Sequence, residues 1–195
     1  MKSSICRTIA ATALLFPVIA FAHPGHDEAA TFVGGVMHPL LGPDHILAAV
    51  AVGLLAAQHK SLFRWMLPIG FVVAMSAAFT IAREIPAWSA AEMLVAFSLL
   101  GLGAAFFWAG RRPVISAMAV IIFGAVHGYV HGTELPGDGD WIAYALGLAL
   151  ATAGAHAVGL VVGTRVDPRL KLGAKIAAAA IASIGATMLG MQLIA

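Results

Sequence analysis

The sequence predicts an all-α membrane protein, a bundle of six transmembrane helices behind a cleaved N-terminal signal peptide, with the first helix broken between His38 and Asp44. Three observations carry this reading. Of 195 residues, 61% are hydrophobic and 10% are charged, against about 25% charged in soluble domains. The apolar residues gather in six runs, near 31–58, 65–82, 90–109, 113–133, 141–163 and 173–194. Each run can cross a hydrocarbon core of about 30 Å at a rise of about 1.5 Å per residue. The Lys and Arg side chains fall in the short connections between these runs, so the net charge of +2 reports membrane topology and no nucleic-acid partner.

Residues 1–22 read as a secretory signal. Lys2 and Arg7 form the positive start, Thr8 to Phe21 the apolar stretch, and Ala20-Phe21-Ala22 a small-x-small cleavage site. Cleavage would expose His23. The leader 23–30 then offers a free amine, His23, His26, Asp27 and Glu28 as a loose chelating set for a divalent cation. The transmembrane domain occupies 31–195. Cys6, the single cysteine, would leave with the signal, which removes thiolate chemistry and leaves nitrogen and oxygen ligands.

With the N-terminus outside, the inner connections hold Lys60 and Arg64, then Arg111 and Arg112, then Arg165, Arg169, Lys171 and Lys175. The outer connections hold only Arg83 among basic residues, beside Glu84, Glu134, Asp138 and Asp140. This bias places the protein in a bacterial inner membrane with both mature termini in the periplasm. Short connections make consecutive helices antiparallel neighbours in a compact bundle. Gly159 and Gly163 in the fifth run, and Gly185 with Ala177 to Ala180 in the sixth, are expected to let helices approach closely.

The first run contains His38-Pro39-Leu40-Leu41-Gly42-Pro43-Asp44-His45. Two imidazoles and a carboxylate stand where hydrocarbon is expected, at a cost of about a few kcal/mol each, and such residues line cavities, ion paths or sites. Pro39, Gly42 and Pro43 weaken the helix between them and free backbone carbonyls. Broken backbone at membrane depth is tolerated only where protein or a water-filled cavity satisfies it.

The fourth run ends in His127-Gly128-Tyr129-Val130-His131-Gly132-Thr133-Glu134. At about 100° per residue, His127, His131 and Glu134 share one helix stripe. Gly128 and Gly132 beside them leave room for an ion or for a neighbouring backbone. If the first run is helical from residue 31, His38 to His45 lie about 10 to 20 Å below the outer edge, and His127 to Glu134 fill about the last 10 Å of the outward-running fourth helix. The two clusters therefore meet in the outer half of the membrane and are expected to form one site.

Glu92, at the outer start of the third run, stands at a compatible depth to attract or relay a cation. His156, deep in the fifth run, stands apart and is expected to be a packing residue hydrogen-bonded to a neighbouring helix. His59, in an inner loop, is expected to be solvated. Met37 adjoins His38 and could add a thioether; the other methionines fill apolar positions. Imidazole and carboxylate without thiolate suit Ni²⁺, Co²⁺, Zn²⁺ or Fe²⁺, whereas Mg²⁺ and Ca²⁺ prefer oxygen shells.

A signal leading into His23-Pro24-Gly25-His26, the pattern His-Pro-x-x-Gly-x-Asp-His at His38 to His45, and His-Gly-x-x-His-Gly-x-Glu at His127 to Glu134 resemble the HupE/UreJ family of nickel permeases. The resemblance covers essentially the whole chain. It implies a six-helix inner-membrane permease that brings Ni²⁺, or in some members Co²⁺, into the cytoplasm for hydrogenase or urease maturation proteins. It implies no ATPase and no permanently bound cofactor, with the cation as cargo. Functional roles are implied for His38, Asp44, His45, His131 and Glu134, and Glu92 resembles the family's acidic residue in helix three. The competing class is an intramembrane metal-dependent hydrolase, in which histidines hold Zn²⁺ and Asp44 or Glu134 acts as general base on bound water.

Overall fold

The computed structural model describes residues 30–60, 62–88, 90–135, 137, 139–165 and 171–194. The expected signal, and the leader histidines His23 and His26, lie outside the described residues. Among the described residues seven α-helices follow one another: α1 (Phe32–Leu41), α2 (Pro43–Ala57), α3 (Leu62–Ala82), α4 (Ala91–Ala105), α5 (Pro113–Thr133), α6 (Trp141–Arg165) and α7 (Lys171–Ile194), with a 3-10 turn at Ala109–Arg111 before α5. No strand occurs among the described residues; one isolated bridge joins Ala30 to Gly139.

The first run is two helices, as its prolines and glycine predict. Thr31 caps α1, its hydroxyl accepting the Gly34 amide at 3.0 Å. Pro39 is tolerated inside α1, and the break falls at Gly42. There the backbone is extended (φ −83°, ψ 107°), its amide returns to the His38 carbonyl, and Pro43 opens α2, where a missing N–H is harmless. The chain turns by 84° between α1 and α2. Depth counted along a straight helix therefore does not apply across Gly42, and the meeting of the two polar clusters has a different cause, the bend itself.

Among the described residues four helices are long and apolar enough to cross a membrane, α3, α5, α6 and the part of α7 from Gly173, and the bent α1–α2 pair makes a fifth if it counts as one span. The expected third span is shorter than its apolar run. α4 covers 15 residues, about 22 Å, and the chain then passes through turns into the 3-10 segment.

The closest helix pairs are not consecutive in sequence. α3 lies along α5, the α1–α2 pair along α6, and α4 along α7. Small residues cause this. A Cβ at Gly124 would lie 2.7 Å from the Phe71 carbonyl oxygen and one at Gly132 2.6 Å from that of Phe79, while Gly128 abuts the Met75 carbonyl. Both helices advance by four residues together, so they run parallel with backbones in contact. Of the two occupants considered for the space beside His127 and His131, it is therefore the neighbouring backbone that fills it. Gly159 meets Val50 and Gly53 of α2, Gly163 meets Ala57, and Gly185 meets Ala96 and Leu100 of α4, as their spacing predicts.

The loops are tied at both edges. Asp140 accepts the Ile142 and Ala143 amides at 3.0 and 3.1 Å, capping α6, and its own amide donates to Ala30 at 2.8 Å. The Tyr129 hydroxyl donates to the Pro86 carbonyl and accepts from the Trp88 amide, each at 3.1 Å, fastening the α3–α4 connection to α5. His59 departs from expectation. It is buried, 6.2 Å from the Phe63 ring, and burial holds its pKa below the ordinary value of 6.5.

Candidate metal centre

The centre is assembled from three helices. α1 delivers His38 from its last turn, α2 delivers Asp44 and His45 from its first, and α5 delivers His127 and His131 one turn apart. Because α1 and α2 diverge by 84° at Gly42, His38 and His45 flank the inside of a bend instead of being spread along one rod. Their ring centroids are 5.9 Å apart. His131 fits between them, 4.8 Å from His38 and 4.4 Å from His45.

Each of these three imidazoles offers a nitrogen, and the three atoms all lie within 4.8 Å of one another. Metal–imidazole bonds of about 2.1 Å would require neighbouring nitrogens about 3.0 to 3.4 Å apart in an octahedral or tetrahedral shell. The ligands are thus gathered within about an ångström or two of a closed shell, a distance that imidazole rotation can cover. His45 and His131 are buried and His38 is half-buried.

Two further polar groups flank the three imidazoles. An Asp44 carboxylate oxygen lies 3.9 Å from His45 Nε2, too far for a hydrogen bond and close enough to add negative potential where a cation would sit. His127 approaches His45 at 5.5 Å. Its Nδ1 lies 2.9 Å from the Phe123 carbonyl oxygen; a carbonyl only accepts, so the neutral ring carries its proton on Nδ1 and keeps the Nε2 lone pair for a ligand. Nε2 is buried and has no hydrogen-bond partner among the described residues.

Glu134 ends α5, half-buried, one turn beyond His131. Glu92 is exposed in the first turn of α4 and is not among the three residues whose ligand atoms converge. Met37 is also exposed.

Sequence reasoning missed the aromatic wall. Tyr144 of α6, 2% exposed, stands 6.0 Å from His38 and stacks on Phe79 at 6.2 Å. Phe71, one of the largest fully buried side chains, stands 5.4 Å from His127. An aromatic ring in an apolar run carries no polar signal, although Tyr144 is one of only two tyrosines in the chain.

Together these features define a helical membrane protein with an imidazole cluster inside its bundle. The sequence profile of the HupE / UreJ protein family matches residues 11–188. Protein HupE of Rhizobium leguminosarum bv. viciae is 34% identical over 189 residues, which span 96% of this chain and 97% of that protein. The chain belongs to the HupE/UreJ family. No solved structure matches it.

Proposed function

We propose that the protein is a secondary transporter or facilitator that carries Ni²⁺, or Co²⁺, across the bacterial inner membrane into the cytoplasm, and is not an enzyme. The observation that carries the reading is the convergence of His38, His45 and His131 within 4.8 Å, from two separate stretches of chain. Neutral imidazoles with a neighbouring carboxylate suit late first-row divalent ions.

In this reading the hydrated cation arrives from the periplasmic side, attracted by Glu92, by Glu134 and by the leader with His23 and His26. His38, His45 and His131 replace part of its water shell, Asp44 balances charge, and His127 offers Nε2. Three imidazoles leave the other positions of the ion's shell to water, which a carrier needs, since an ion held by a closed cage would not be released. Hydrogenase or urease maturation proteins would take the cation on the cytoplasmic side.

The test is metal-resolved uptake into proteoliposomes, comparing Ni²⁺, Co²⁺ and Zn²⁺ with and without an imposed gradient. Saturable Ni²⁺ or Co²⁺ uptake that His45→Ala abolishes, with the variant still inserted in the membrane, is the expected result. Normal uptake by His45→Ala would discard the site, and lipid turnover without metal flux would discard transport.

A further inference from the structure

His156 differs from the packing residue its position suggests. It is 2% exposed, and neither ring nitrogen has a hydrogen-bond partner among the described residues. Buried polar groups are nearly always satisfied, and one that is not requires a reason such as an absent ion. Its surroundings supply the reason. The Phe71 ring meets His156 edge-on at 5.1 Å, and on its other contact meets His127 at 5.4 Å. His127 in turn stands 5.5 Å from His45.

A file of rings therefore leads from the gathered histidines through His127 and Phe71 to His156. One turn before His156 on α6, the Thr152 hydroxyl lies 3.9 Å from the Met75 sulfur, and Met75 is one turn beyond Phe71 on α3. The α3–α6 seam thus holds an imidazole, a ligand suited to late first-row ions, one turn from a hydroxyl–thioether pair. His156 also borders an open, apolar groove of about 300 Å³ between α3 and α6, whose walls include Pro68, Leu160 and the exposed Trp65 and Ile69. Trp65 belongs to the first turn of α3, the end that carries Arg64, which the basic-residue bias assigns to the cytoplasmic side.

We infer that His156 is a second, inner ligand for the cation. An ion leaving the outer histidines passes from His127 Nε2 beyond the Phe71 ring to His156, and leaves from there toward the inner end of α3. The inference rests on the transport reading, and its test separates the two. The step is ligand exchange only, with no bond made or broken except those to the cation.

The full chain is reconstituted with His156→Leu, which keeps bulk without a ligand, with His156→Gln, which keeps polarity with weak affinity, and with His156→Cys, which keeps a ligand. Loss of a ligand needed only for passage lowers the maximal rate and leaves loading intact. His156→Leu and His156→Gln should lower maximal Ni²⁺ uptake about ten- to a hundredfold, the range seen when metal-site partners are removed. Half-saturation should stay within about twofold, and His156→Cys should recover much of the rate. Wild-type uptake by either Leu or Gln variant overturns the inference while leaving the outer site standing.

A second readout needs no transport. Co²⁺ added to purified His45→Ala protein should give an imidazole-dependent visible absorption that is weaker or shifted in His45→Ala/His156→Leu, because His156 contributes beside the remaining His38, His127 and His131. Identical spectra for these two proteins would also overturn it. Normal uptake by His45→Ala, in contrast, removes the outer site and not His156.

Discussion

Gly42→Ala is the sharpest probe of the bend. Its φ of −83° and ψ of 107° suit alanine, so the backbone itself tolerates the change. The side chain does not. A Cβ there would lie 2.6 Å from His45 Cδ2 and 3.2 Å from an Asp44 carboxylate oxygen. Reaching ordinary contact of 3.4 Å requires the imidazole to retreat by about 0.8 Å, and His131 and His127 at 4.4 and 5.5 Å limit where it can go. Misplacing a reacting or binding group by about 1 Å can lower activity about 100-fold, whereas overpacking of this size destabilises by about 1–3 kcal/mol. Gly42→Ala should therefore insert and fold, melt only modestly lower, and lose about ten- to a hundredfold in Ni²⁺ uptake. Gly154→Ala, where a Cβ meets nothing within 4 Å, is the control and should match wild type. Melting curves in detergent with uptake in proteoliposomes measure both quantities. Wild-type uptake and half-saturation in Gly42→Ala would refute the claim that close approach at the bend sets His45.

Gly128→Ala forces a methyl against the Met75 carbonyl, with the Met75 Cα only 2.8 Å away; backbone cannot yield as a side chain can. It should destabilise by about 3 kcal/mol, the top of the overpacking range, and a melting temperature equal to wild type would contradict the parallel α3–α5 contact. Asp140→Ala removes the α6 cap and should destabilise by about 1 kcal/mol without changing half-saturation for Ni²⁺; a large change in half-saturation would show that Asp140 touches the cation.

The parts of this architecture that were legible in the sequence are those where a residue type conflicts with its setting. His38, Asp44, His45, His127 and His131 are polar in apolar runs, and Gly42 with Pro43 breaks a helix that otherwise has no reason to stop. The expected convergence of His45 with His131 is realised at 4.4 Å between ring centroids. The straight-rod arithmetic behind that expectation does not survive the 84° bend; the bend brings His38 and His45 to one side more effectively than depth matching would.

Other features left no such conflict to read. Phe71, Phe79 and Tyr144 are apolar or nearly so, and only tertiary contact makes them the wall of the centre. Short loops make consecutive helices antiparallel but do not say which pairs approach most closely, and it is Gly124, Gly128 and Gly132 that pair α3 intimately with α5. His59 sits in a connection and is nevertheless buried, because burial of a loop residue depends on what folds over it. His156 was expected to be bonded, and the lack of a partner among described residues emerges only when its neighbours are known.

The central claim is that imidazoles from the bent α1–α2 pair and from α5 share one cation. X-ray absorption at the nickel edge, on the Ni²⁺-loaded full chain in detergent, tests it most directly. The account predicts nitrogen and oxygen neighbours at about 2.1 Å, outer-shell scattering from two or three imidazoles, and loss of part of that scattering in both His45→Ala and His131→Ala. An all-oxygen shell in the wild-type protein, or imidazole scattering unchanged by either substitution, would contradict it.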